Sequence, residues 1–213
     1  EQFQKRILSS SIYTRSDDAI SLVQQNSNVF NLLFSSFYVF GVYPWSLEPT
    51  PQMLYKFPNS AVEEDNSLPN LCFPNQCCFK ILRFKDKTEF IKKHIIDDSE
   101  ITKCKFVPMY FPEDTEDPYM FCTYLNVSPL TIPSFAHDLE LDEMIGMVGN
   151  DSIKMSMICL AFKTKLPFHE LFKDLNIWIL RNDLIARFVK SVDIFSSEGV
   201  GFDKNKWIQF QEQ

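Results

Sequence analysis

The apolar positions of this 213-residue chain fall into short, sharply bounded runs that mix two periods. Residues 34–43 (FSSFYVFGVY) carry no charge and are aromatic and β-branched, which predicts a buried strand closed by Pro44. Residues 78–84 (CFKILRF) alternate apolar and basic, the pattern of a strand with one wet face. In residues 87–96 (KTEFIKKHII), Phe90, Ile91 and Ile95 recur at helical spacing and predict a short helix. Residues 105–111 (KFVPMYF) and 119–127 (YMFCTYLNV) flank the acidic, proline-bounded connector PEDTEDP and predict an antiparallel strand pair. Pro108 cannot donate to a ladder, so the first of the two belongs at a sheet edge. Residues 153–163 (IKMSMICLAFK) predict another buried strand.

After Pro167 the period changes. Phe168, Leu171, Phe172, Leu175, Trp178 and Ile179 recur at i, i+3, i+4 and i+7, which predicts one helical face packed on the core. Leu184, Ile185, Phe188, Val189 and Val192 continue it, as one long helix or as two joined near Asn182. Pro167 suits the first turn, where its missing N–H costs nothing. The remaining segments are less regular. Residues 1–28 read as a polar lead-in with one short helix capped by Ser16 or Asp17, and 194–213 as a polar linker. Five prolines between 44 and 70, with Glu63, Glu64 and Asp65, predict an irregular loop with no regular element. Residues 138–145 (DLELDEMI) favour neither helix nor strand. The fold class that follows is mixed α/β, of the α+β type, built on a mainly antiparallel sheet.

Composition narrows the function more than the fold. Only five glycines are present, and neither a Walker-type loop nor a G-x-G-x-x-G occurs, which argues against nucleotide binding by this chain itself. A net charge of −7 gives no excess of Lys and Arg for a phosphate backbone, so no nucleic-acid partner is expected. The longest apolar-rich run, Val29–Trp45, is broken by Asn, Ser, Gly and Pro, and no direct membrane insertion is expected. The first residue is Glu1 and no signal peptide is visible, so the expected setting is the cytoplasm, and the expected object a piece of a larger protein.

The stretch 68–79 (LPNLCFPNQCCF) raises the question of metal or redox chemistry. Zinc sites draw on close Cys or His pairs, and no C-x-x-C occurs anywhere in the chain. Cys77 and Cys78 are adjacent, so on extended backbone they point opposite ways. The expected state is reduced thiols acting as small hydrophobes beside a proline-stiffened turn, with no metal and no cofactor. His94, His137 and His169 share no ligand spacing, and no nucleophile elbow accompanies them. No catalytic residue is assigned, and a Cys- or His-dependent hydrolase or transferase is the least favoured of three readings. Among the acidic runs, the hairpin connector is the candidate partner-binding surface, through Asp114, Glu116 and Asp117, because it is charged and projects from a strand pair.

The order of the segments adds a resemblance. Leu68, Pro69, Cys72, Phe73 and Pro74 match an "lP.FCFP" phrase of the DENN domain family. Phe121 and Cys122 partly match its "GfC" phrase, with Met120 in place of the glycine. Cys159, Leu160, Pro167, Phe168, Leu171 and Phe172 match "CL.S..PFF.lF", without the serine. The chain thus resembles the upstream DENN segment and the start of the central one. The resemblance implies a longin-like N-terminal lobe over residues 29–193, with a central antiparallel sheet flanked by helices and a long C-terminal helix or helix pair. It further implies guanine-nucleotide exchange on a Rab-type small GTPase, held between this lobe and a second one, without covalent catalysis. A longin-type scaffold or adaptor in membrane trafficking is the alternative.

Overall fold

The computed structural model describes residues 33–59, 67–75 and 77–197. The lead-in helix, the acidic run at 63–65 and the tail from 198 lie outside them. The elements run β1 (Ser36–Gly41), β2 (Gln52–Phe57), α1 (Leu68–Cys72), β3 (Lys80–Arg83), α2 (Lys87–His94), α3 (Ser99–Thr102), β4 (Lys105–Tyr110), β5 (Tyr119–Val127), α4 (Leu141–Gly146), β6 (Ser152–Thr164) and α5 (His169–Ser197). A short 3-10 turn, Ser134–Ala136, precedes α4. The strands form an antiparallel sheet in the order β2-β1-β6-β5-β4, with β3 beside the first residues of β6. This is the antiparallel α+β architecture that the periodicity predicts, ending in a single long helix that passes the boundary expected at residue 193.

β6 is the axis of the sheet, and its alternation sorts the core into two layers. Ile158, Leu160 and Phe162 point to one face, where they meet Phe37 and Val39 of β1, Phe121 of β5, and Phe172, Leu180 and Leu184 of α5. Phe172 is fully buried between the Phe121 ring, stacked at 5.0 Å, and the Phe162 ring at 5.4 Å. Cys159 and Ala161 point to the other face, with Tyr38, Phe40, Met120 and Cys122, under α1. A third cluster joins Ile91 and Ile95 to Leu141, Met144 and Ile153 at the β3 end of the sheet. β1 and β6 come close at Gly41, whose φ is +143°. A Cβ there would lie 2.6 Å from the Met157 carbonyl oxygen, so only glycine fits.

Four sequence expectations change. The proline-rich segment 44–70 is not wholly irregular: β2 and the first residues of α1 fall in it. Pro51 and Pro58 bracket β2 rather than interrupt it, and the strand needs a partner on only one side, as the outermost of its row. Pro69 lies in the first turn of α1, where a missing donor does no harm. β3 is a strand as expected, but all four of its residues are exposed, Ile81 and Leu82 included. In the stretch 138–145, unassigned by pattern, α4 begins at Leu141 behind a capping box in which the Glu143 carboxylate accepts the Glu140 N–H at 2.9 Å.

The fourth change concerns α5. Its buried face is Phe172, Asn176, Leu180, Asp183, Leu184, Arg187 and Ser191, so it carries four polar side chains. Asn176 donates to Thr123 Oγ1 of β5 at 2.9 Å. The Asp183 carboxylate accepts Arg187 Nε at 3.0 Å, Ser134 N at 2.8 Å and Ser134 Oγ at 2.5 Å, and Arg187 Nη1 donates to the Leu130 carbonyl at 2.9 Å. The core-facing stripe predicted from apolar residues alone is therefore rotated. Phe172 faces the core, whereas Phe168, Leu171 and Trp178 face solvent.

Two histidines near this network give the fold a pH dependence. His94 is buried, with Nε2 at 2.9 Å from Ser128 Oγ and its ring stacked on Phe90. Burial pushes its pKa below the ordinary 6.5, with Arg187 adding to the shift and Asp97 and Glu100 opposing it. His137 is pushed down as well, again mainly by burial, with Lys190 adding and Asp183 and Asp138 opposing. The unfolded chain then binds more protons than the folded one just below pH 6.5, so stability rises with pH there. Chemical denaturation is expected to give full stability from these groups above about pH 6.5 and a progressive loss below it. The dependence should shrink in His94→Gln. An unchanged midpoint between pH 7.5 and 5.5, in buffers of constant ionic strength, would contradict the assignment.

Candidate partner-binding surface

The residues singled out in the hairpin connector are close together, but they do different things. Asp114 forms an ion pair with Lys163 of β6 at 2.6 Å and accepts the amides of Glu116 at 3.2 Å and Asp117 at 3.0 Å. The Lys163 ammonium and the two amides hold its carboxyl below the ordinary carboxylate range. Its charge is engaged in shaping the turn. Glu116 is exposed and Asp117 half-buried. Both line a depression with Ser35, Thr164 and Lys165. Of the three, Glu116 is the one most available to a basic partner.

A stronger surface lies on α5 and was read as core. Phe168, Leu171, Trp178, Ile185 and Val189 are 54%, 40%, 59%, 40% and 50% exposed. With half-buried Leu175 and exposed Asn182 they follow one another at alternating steps of three and four, which places them on one stripe of the helix. An apolar stripe of this length on one element marks a protein contact rather than scattered surface hydrophobes. Leu175, Trp178 and Ile179 also wall an apolar groove of about 320 Å³ against Phe37, Tyr55 and Phe57 of β1 and β2. Periodicity found this stripe in the sequence. It could not say which way the stripe faces, because the polar residues on the opposite side of the helix are buried by the specific bonds described above.

The other chemistry-bearing residues are dispersed. His169 is exposed at the start of α5, with its ring 5.3 Å from that of Phe121, whereas His94 is buried against Ser128 and half-buried His137 accepts the Leu139 N–H at 3.1 Å. All six cysteines carry free thiols. Cys77 is buried and Cys78 exposed, as adjacent residues on extended chain should be. Cys72, Cys122 and Cys159 come together: their sulfurs lie within 4.8 Å of one another, all buried. Motif spacing misses this cluster because the three residues come from α1, β5 and β6. The available signal is that each of the three family-like phrases carries one cysteine.

Among the described residues, no helix is long and apolar enough to cross a membrane. No family model, no curated protein and no solved structure matches this chain.

Proposed function

We propose that this chain is the longin-like lobe of a DENN-type guanine-nucleotide exchange factor, acting on a Rab-type small GTPase. The observation that carries the reading is the convergence of the three phrases. LPNLCFP, the FC of β5 and the CL of β6 are separated by tens of residues, yet Cys72, Cys122 and Cys159 pack at one point under α1. Chance matches to short phrases have no reason to meet in the fold. Residues that jointly define one core do.

Exchange needs no nucleophile and no general base. A factor that binds the nucleotide-free GTPase more tightly than the loaded one weakens nucleotide and Mg²⁺ binding by the same factor. The work is done by contacts that hold the switch segments open. Such contacts call for exposed apolar surface on a rigid element, and the α5 stripe supplies it. The acidic connector, with Glu116 outward, is the complementary polar element. On this reading a second lobe completes the clamp, and the lobe alone is weak. An adaptor built on the same lobe would use the same stripe without opening the switches.

Release of a fluorescent GDP analogue from a panel of Rab-type GTPases separates the two. The full protein is expected to accelerate release from one member by at least tenfold and this chain alone by much less. Binding to a GTPase with no acceleration by either would favour the adaptor. Absence of binding in every nucleotide state would overturn the exchange reading.

A further inference from the structure

The buried thiol cluster is built like a ligand set. Strand register makes Cys159 the direct partner of Tyr124 and Cys122 the partner of Ala161, so the two cysteines are diagonal neighbours on one face of the β5–β6 ladder. Cys72, the last residue of α1, comes down on that face from above. The Tyr124 hydroxyl donates to the Cys72 carbonyl at 3.0 Å, which keeps the phenol beside the sulfurs, and the Phe73 ring packs edge-on against it at 5.6 Å.

Three sulfurs, each about 2.3 Å from a shared cation, lie roughly 4 Å apart. The sulfurs here, within 4.8 Å of one another, need move by less than about 1 Å to close on one. From these placements we infer that Cys72, Cys122 and Cys159 form a three-thiolate site for a soft divalent cation of the zinc class, with the Tyr124 hydroxyl at the fourth position.

The chemistry of the surroundings selects the ion. The sulfurs sit in an apolar cluster with Tyr38, Phe40, Phe73, Met120 and Ala161, and among the described residues no carboxylate or imidazole joins them, so hard cations such as Mg²⁺ and Ca²⁺ find no ligands there. Three thiolates around a dication leave one net negative charge, whereas around a monocation they leave two, and the apolar setting favours the smaller burden. Loading converts three S–H groups and one M²⁺ into three M–S bonds and releases three protons. The inference is independent of the exchange reading.

The test is metal content and coordination of the full chain, expressed and refolded with Zn²⁺ under reducing conditions and then freed of loosely held metal. The chain with Cys77→Ala, Cys78→Ser and Cys104→Ser keeps 72, 122 and 159 as its only thiols. It is expected to hold one equivalent of zinc, with three sulfurs at about 2.3 Å by X-ray absorption, and to show thiolate-to-metal charge-transfer absorption when loaded with Cd²⁺. Cys122→Ala in the native background is expected to reduce the content from one equivalent to background. A folded chain that retains no zinc, or zinc held unchanged in Cys122→Ala, overturns the proposal. If Cys122→Ala does not fold, the sulfur count of the three-thiol chain decides: three sulfurs support the site, and fewer overturn it.

Discussion

Asp183→Ala is expected to destabilise the domain by about 3–5 kcal/mol, a large share of what holds a domain of this size together. The substitution removes more than one bond. Asp183 and Arg187 have side chains only 4% and 7% exposed, and the pair is the polar centre of the α5 interface. With the carboxylate gone, the guanidinium keeps its bond to the Leu130 carbonyl but stays a buried cation without a counter-ion. Ser134 loses the acceptor for both its N–H and its hydroxyl. The 3-10 turn at Ser134–Ala136 then loses its tie to the helix, and Tyr43, which donates to the Ala136 carbonyl at 2.8 Å, is disturbed through it. Urea titration should show a lower midpoint at unchanged slope. The double variant Asp183→Leu/Arg187→Met removes both charges and is expected to recover part of the loss, because no unpaired ion stays buried, while the Ser134 donors and the Leu130 carbonyl remain without these partners. A loss below about 1 kcal/mol in Asp183→Ala would mean that the pair is hydrated and the helix docks by its apolar residues alone.

What the sequence disclosed follows from what its patterns measure. The strand-like run Tyr119–Val127 and the uncharged aromatic run ending at Tyr43 report burial on a pleated surface, and both became strands at the expected places. Pro108 placed β4 at the sheet edge because a missing donor is tolerated only there. β2 was hidden because an outer strand of half-buried residues carries little pattern, and its flanking prolines imitate a loop. The thiol cluster was hidden for a different reason. Ligand spacing is a property of local chain, and these three sulfurs are brought together only by the β5–β6 register and the landing of α1. Among the candidate partner-binding residues, charge was visible, but commitment was not. Asp114 and Glu116 look alike in the sequence, and only the reach of Lys163 across the sheet separates a turn-forming carboxylate from an available one.

Phe172→Ala and Trp178→Ala, six positions apart on one helix, are expected to part company completely. Both residues belong to the same apolar stripe when the sequence is read by period alone. Phe172 fills the space between Phe121 and Phe162 and is fully buried, so its truncation should cost about 3–5 kcal/mol through lost transfer energy and the cavity left behind. Trp178 is 59% exposed, and its truncation should change stability by no more than about 0.5 kcal/mol. Its effect should appear in association instead. A tryptophan at the middle of an exposed apolar stripe, beside a groove, has the character of a binding hot spot, and its loss should weaken partner affinity by about 2 kcal/mol or more. The measurement pairs urea denaturation of the two variants with their binding to the GTPase selected by the release assay. Trp178→Ala that binds normally removes the stripe from the interface and leaves Glu116 and the acidic connector as the remaining candidate. A loss of more than about 2 kcal/mol of stability in Trp178→Ala would instead mean that the stripe is covered within the protein itself. The helix would then be a core element on both faces, where its period alone predicts one.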